Sequence, residues 1–106
     1  MKSYIQVRNK MAIIVAGKLI LKSNQRNAFI EKSHKSILLA RDNKTCLDFA
    51  VSPDPLDINR VNVFEKWVNR QALEAFRKSG PEDDLFSLVE SFDVSEYEVS
   101  GDDEAI

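Results

Sequence analysis

The chain has 106 residues, enough for one compact domain and too few for two. Its apolar share of 43%, charged share of 30% and net charge of −2 are ordinary for a globular protein. With no basic stripe, they argue against a nucleic-acid or anionic-membrane surface. One cysteine and one histidine exclude an internal disulfide and a zinc site, and no apolar run approaches the roughly 20 residues that span a bilayer.

Met1 to Lys10 carry charges without an apolar core, so residues 1–10 read as an N-terminal extension rather than a secretory signal. Met11 is an alternative start, and the cytoplasm is the expected compartment. Residues 11–22 predict the first strand, with Ile13, Val15, Gly17, Leu19 and Leu21 on one face and Ala12, Ile14, Ala16, Lys18 and Ile20 on the other. Both faces are apolar until the last third, as in a strand covered on both sides. Gly17 predicts a bulge or a close approach to the backbone, read either as a local twist or as a pocket wall.

Ser23 or Asn24 can cap a helix running to about Arg41, with Phe29, Ser33, Ile37 and Ala40 on its inner stripe and Ile30 and Leu38 on its flank. A polar turn at residues 42–44 leads to a second strand at residues 45–51. There Leu47, Phe49 and Val51 are expected to alternate with Cys46, Asp48 and Ala50. Pro53 and Pro55 stiffen the following loop.

The run from Arg60 to Pro81 organises the rest. Residues 61–68 predict a strand with Val61, Val63, Glu65 and Trp67 on one face and Asn62, Phe64, Lys66 and Val68 on the other. Asn69 stands at an N-cap position, and Ala72, Leu73, Ala75 and Phe76 supply the apolar stripe of a second helix. Gly80 and Pro81 end it. Pro81, Glu82, Asp83 and Asp84 resemble the first turn of a short helix whose apolar side is Leu85, Phe86, Leu88 and Val89. Residues 90–99 predict the last strand, and 100–106 an acidic C-terminal tail.

The order is βαββαβ, an α+β ferredoxin-like arrangement spanning residues 11–99, with both helices on one face of the sheet. The apolar residues of the other face then require a cover. A second copy of the chain, sheet to sheet, is the simplest one.

The pattern Val63-Phe64-Glu65-x-Trp67, followed by a capped Ala72-Leu73-x-Ala75 helix and Ser79-Gly80-Pro81, resembles the antibiotic biosynthesis monooxygenase domain family. MAIIVAGKLIL (11–21), RNAF (26–29) and CLDFAVSPDPLD (46–57) match upstream in the same order. The resemblance implies a dimeric α+β barrel, with a pocket between the helices and the sheet of each subunit. It also implies oxidation of a small phenol or quinol by dioxygen without a bound cofactor.

Trp67 is either a core aromatic or a wall of that pocket, and in the family this tryptophan borders the substrate. Glu65 shares its face. An acid pointing under helices needs a partner such as Arg60 or Arg77, or takes a raised pKa and can serve as a base. His34, the only histidine, lies at the margin of the first helix's apolar stripe; it is a surface residue or a second candidate base. Trp67, Glu65 and His34 are thus the candidate catalytic residues, and Phe49, Phe76, Gly17 and Phe92 the candidate substrate contacts. Cys46 reads as a small buried hydrophobe. No nucleotide fingerprint, phosphate loop, nucleophile elbow or metal-ligand spacing is present.

The expected function is a cofactor-independent monooxygenase or quinol oxidase. The alternatives are a dimeric small-molecule binding or sensing module without chemistry and, third, a haem-degrading enzyme. Related haem-degrading proteins use an asparagine on the first strand and a histidine on the second helix. Gly17 stands at the first position, and the second helix has Phe76 but no histidine.

Overall fold

Ten residues, aliphatic but for Gly17 and Lys18, make β1 (Ala12–Leu21) the strand that β3 (Arg60–Trp67) and β4 (Val89–Val99) both pair with. The computed structural model describes residues 11–79 and 84–100. β2 (Cys46–Pro53) pairs on the outer side of β3, giving one antiparallel sheet of order β2-β3-β1-β4. Helices α1 (Arg26–Arg41) and α2 (Arg70–Ser79) complete the βαββαβ order. A 3-10 turn, Leu85–Leu88, leads into β4. Among the described residues, no helix is long and apolar enough to cross a membrane.

Both helices pack on the face that carries Ile13, Val15, Leu19, Val61 and Trp67. Two apolar clusters form there. The first joins Ile13, Val15, Phe49 and Trp67 to Ala40 of α1 and Leu73 of α2. The second joins Leu19, Leu21 and Val61 to Phe29 of α1, Leu85 and Val89. The stripes expected on α1 and α2 therefore face inward, except that Leu38 and Ala75 are exposed. Asn69 caps α2 as its position predicts: its side-chain oxygen accepts from the Ala72 amide at 2.9 Å.

Three local expectations are corrected, and a fourth, the close approach at Gly17, is met. Neither Ser23 nor Asn24 caps α1; the helix starts at Arg26 behind Gln25, with no side-chain cap bond. Asn24 instead takes a left-handed φ of 65°, a conformation that asparagine tolerates in a turn. The alternation of β2 slips at its start, because the register with β3 shifts between Cys46 and Asp48. A bulge puts two residues opposite one, so Cys46 packs on the first core cluster while Leu47 is turned out. The third concerns the segment before β4. Of its expected apolar side, Leu85 is buried in the 3-10 turn, Val89 already belongs to β4, and Phe86 is exposed. Finally, Gly17 has φ +154° and lies between Val63 and Val94. A Cβ there would collide with the Asp93 carbonyl oxygen and stand 2.7 Å from the Val94 Cα, so what approaches the glycine is the backbone of β4. The stops at Gly80 and Pro81, the acids Glu82 and Asp83, the extension 1–10 and tail residues 101–106 lie outside the described residues.

The β2–β3 connection is held from within and from α1. Asp54 Oδ2 accepts the Leu56 and Asp57 amides at 3.0 and 2.9 Å, and its Oδ1 accepts from Asn62 Nδ2 at 3.1 Å. Arg26 Nη1 donates to the carbonyls of Asp54, Asp57 and Arg60 at 3.0, 2.9 and 3.3 Å. This arginine ties the first turn of α1 to the hairpin loop.

Candidate active site

The antiparallel registers align four residues in one row on the helix-covered face. Phe49 of β2 stands opposite Glu65 of β3, Glu65 opposite Val15 of β1, and Val15 opposite Glu96 of β4. Two carboxylates thus share the row: Glu65 is half-buried under the helices, which an apolar sheet face does not favour unless the group is partnered, and Glu96 is exposed on the edge strand. Glu96 is held by two cations: its Oε1 accepts from Arg70 Nη1 and its Oε2 from Arg77 Nη2, both at 2.9 Å. Together these bonds keep the Glu96 carboxyl below the ordinary range.

Glu65 is placed differently. Its Oε1 accepts the indole Nε1–H of Trp67 at 2.9 Å. Burial pushes its carboxyl up; the Trp67 bond and the charge of Arg77 pull it partly back, and the charge of Glu96 adds to the rise. Arg60 is engaged elsewhere, its Nε donating to Asn62 Oδ1 at 2.7 Å and lying 3.5 Å from Asp54.

Between the sheet and the helices lies a cavity of about 380 Å³, within the range of small-molecule sites. Val15, Leu19, Val63 and Val94 form its sheet side. Aromatic rings surround it: Phe29 from α1, Phe49 from β2, Phe76 from α2, and Phe86 and Phe92. The last two are exposed on one side and pack edge to face on each other, with centroids 5.6 Å apart. Glu65, Arg77, Ser33 and Ser36 are the polar side chains among the described lining.

Of the residues singled out in the sequence, Glu65, Phe49, Phe76 and Phe92 meet at this cavity. Trp67 does not line it. It is fully buried one layer behind, with the Phe76 ring 4.8 Å and the Phe49 ring 6.4 Å from its own centroid. There it is both a core aromatic and the hydrogen-bond donor that orients Glu65. Gly17 is paired with Val94 of β4 and is not among the described lining residues of the cavity. His34 is exposed, one helical step of about 100° from the buried Ser33, and has no place among the lining residues. Cys46 is half-buried, and burial pushes its thiol up, which disfavours the reactive thiolate.

Sequence reasoning missed Arg77, Ser33, Ser36, Phe29, Leu85 and Phe86 as lining residues. Phe29 and Ser33 were visible as the inner stripe of α1, and a serine on an apolar stripe is the signal that was available for Ser33. Arg77 figures in the sequence only as a partner for Glu65, and its charge does act on that carboxyl; that it also lines the cavity depends on how α2 packs on the sheet.

The strand order, the antiparallel registers and the two helices on one face define a ferredoxin-like α+β domain. The family model for antibiotic biosynthesis monooxygenase matches residues 12–84, and the chain belongs to that family. Solved structures share the fold at low sequence identity. A conserved protein from Methanosarcina mazei Go1 superposes with a TM-score of 0.72 at 18% identity, over 89% of this chain and 96% of that one. A protein from Shewanella oneidensis gives 0.74 at 21% identity, over 84% and 91%. A candidate antibiotic biosynthesis monooxygenase from Deinococcus radiodurans gives 0.71 at 21% identity, over 85% and 94%. No curated protein matches the sequence.

Proposed function

We propose that this chain is a cofactor-independent monooxygenase or quinol oxidase that acts, as a homodimer, on a small phenol or quinol with dioxygen. One observation carries the reading: an aromatic-walled cavity holds, among its described lining residues, one carboxylate, Glu65, whose hold on a proton is strengthened by burial. A base tuned upward from the ordinary carboxylate range is better matched to a weakly acidic substrate near neutral pH.

Glu65 takes the proton of the substrate, and the electron pair left behind delocalises over the arene. The anion passes one electron to dioxygen. The substrate radical and superoxide then combine into a carbon-bound peroxide, which takes the proton back from Glu65. At a ring CH2 centre, loss of water leaves a carbonyl: one dioxygen is consumed, one oxygen atom is incorporated, and all four electrons come from the substrate. With a quinol the same start ends in quinone and hydrogen peroxide. Phe49, Phe76 and Phe92 hold the flat substrate, and Trp67 keeps Glu65 aimed at it. Excluding water and fixing this geometry are contributions the fold itself can supply.

Glu65→Gln preserves the shape and the acceptor for Trp67 while removing the base. Oxygen consumption is to be measured over a panel of dihydroxynaphthalenes and anthrone-like compounds, with no added flavin, metal or nicotinamide. Turnover by the wild type and a loss of about a hundredfold or more in the variant, the usual scale for a general base, are expected. Failure of every compound to turn over, with clear quenching of Trp67 fluorescence by one of them, rejects the enzyme and favours a binding module.

A further inference from the structure

Glu65 and Glu96 share a row of the sheet with Val15 between them. With strands about 4.8 Å apart, their Cα atoms are separated by about 10 Å. Arg77 belongs to both surroundings: it bonds Glu96 through Nη2 and lines the cavity that Glu65 faces. A guanidinium carries five N–H donors in a rigid fork; Glu96 engages one nitrogen and so holds the fork in place beside the cavity.

The charges of this group balance. Among the described lining residues the charged groups are Glu65 and Arg77, one of each sign; Arg70 and Glu96, with Glu74 and Glu98 acting on Arg70, lie outside the lining. An uncharged hydroxyarene enters a neutral site. When its proton moves to Glu65, the negative charge moves from the carboxylate to the substrate, and the cation needed to hold it is already fixed. A substrate that arrives with its own carboxylate would instead stand beside Glu65, keep that group protonated and remove the base. Resting on the monooxygenase reading above, we propose that Arg77, fixed by Glu96, holds the anion formed when Glu65 takes the substrate's proton, and that it thereby selects uncharged hydroxyarenes whose conjugate base spreads charge to a second oxygen. The step is a proton transfer alone: the O–H bond breaks, its electron pair stays on the substrate, and the Glu65 carboxyl gains the hydrogen.

The test is anaerobic and needs no turnover. Hydroxynaphthoquinones and nitrophenols, whose ionised forms absorb at longer wavelength, are titrated into the full chain, and the ionised fraction of bound ligand is read against pH. In the wild type the ionisation constant of the bound ligand should rise about tenfold or more over that in water. Arg77→Gln should abolish that rise, and Arg77→Lys should keep part of it. A carboxylated ligand should bind the wild type about tenfold more weakly than its carboxamide counterpart, which tests the selection; if Arg77→Gln fails to fold, the reduced rise expected of Arg77→Lys tests the anion holder, and an unreduced rise overturns it. Equal ionisation in wild type and Arg77→Gln, or tighter binding of the carboxylate, overturns the proposal. If Arg77→Gln changes nothing while Glu65→Gln still abolishes oxygen uptake, this inference falls and the monooxygenase reading stands. If ionisation follows Arg77 but no compound turns over, the role of Arg77 as anion holder stands and the monooxygenase reading falls. Binding by no member of the series overturns both.

Discussion

Trp67 and Glu65 act as one unit, since the indole N–H supplies the hydrogen bond that orients the carboxylate. That bond lowers a carboxyl that burial raises. Trp67→Phe keeps an aromatic ring in the cluster with Phe49 and Phe76 but removes the donor, so the Glu65 pKa should climb further. Because the base must be ionised to act, the acidic limb of the pH profile of kcat/KM should then move to higher pH. An unmoved limb would mean that the bond has no influence on the base.

At the scale of elements, two places carry the geometry that the cavity depends on. One is the pairing of β1 with β4 at Gly17, where φ is +154° and a side chain meets β4 backbone rather than a yielding side-chain tip. Gly17→Ala should cost about 2 kcal/mol or more, lowering the Tm by roughly 10 °C; a thermal melt checks it. The other is the β2–β3 loop. The Asn62 amide, then the backbone N–H groups of Asp57 and Leu56, hold the Asp54 carboxyl down to about 2. Since this folded-state value lies below the unfolded one, near 3.9, the stabilisation is full above the unfolded value and is lost as pH falls from about 4 to 2. Asp54→Asn should flatten the dependence of Tm on pH in that window; equal slopes would show that the loop bonds do not couple to folding.

For the whole molecule, the decisive feature is the face of the sheet away from the helices. Ile14, Ala16, Ile20, Ala50 and Phe64 lie there, with Phe64 opposite both Ala16 and Ala50, and Tyr97 opposite Ile14. Tyr97 is 53% exposed. Lys18, Arg60, Asn62 and Lys66 share this face and surround the apolar patch; an apolar patch rimmed by polar residues calls for a partner, and a twofold sheet-to-sheet dimer is the proposed one. Light scattering at micromolar concentration should give twice the 12.1 kDa of the chain, and Phe64→Glu should give the monomer mass. A wild-type monomer would overturn the proposal.

Local chemistry was enough to read the strands, the helices and the capped start of α2 from the sequence. Period-two and period-3.6 patterns and an asparagine N-cap are properties of consecutive residues. The same patterns brought Phe49, Glu65 and Phe76 to one side of the sheet. What the chain by itself did not determine depends on partners distant in sequence. The bulge at Leu47 turns Cys46 inward because of register with β3. Trp67 lies behind the cavity wall because α2 brings Phe76 over it. Arg77 joins the site only because β4 places Glu96 two strands from Glu65. A sequence states which face a side chain takes; only the packing of helices on the sheet decides which of those side chains meet space, which meet one another, and which carboxylate is left for a substrate.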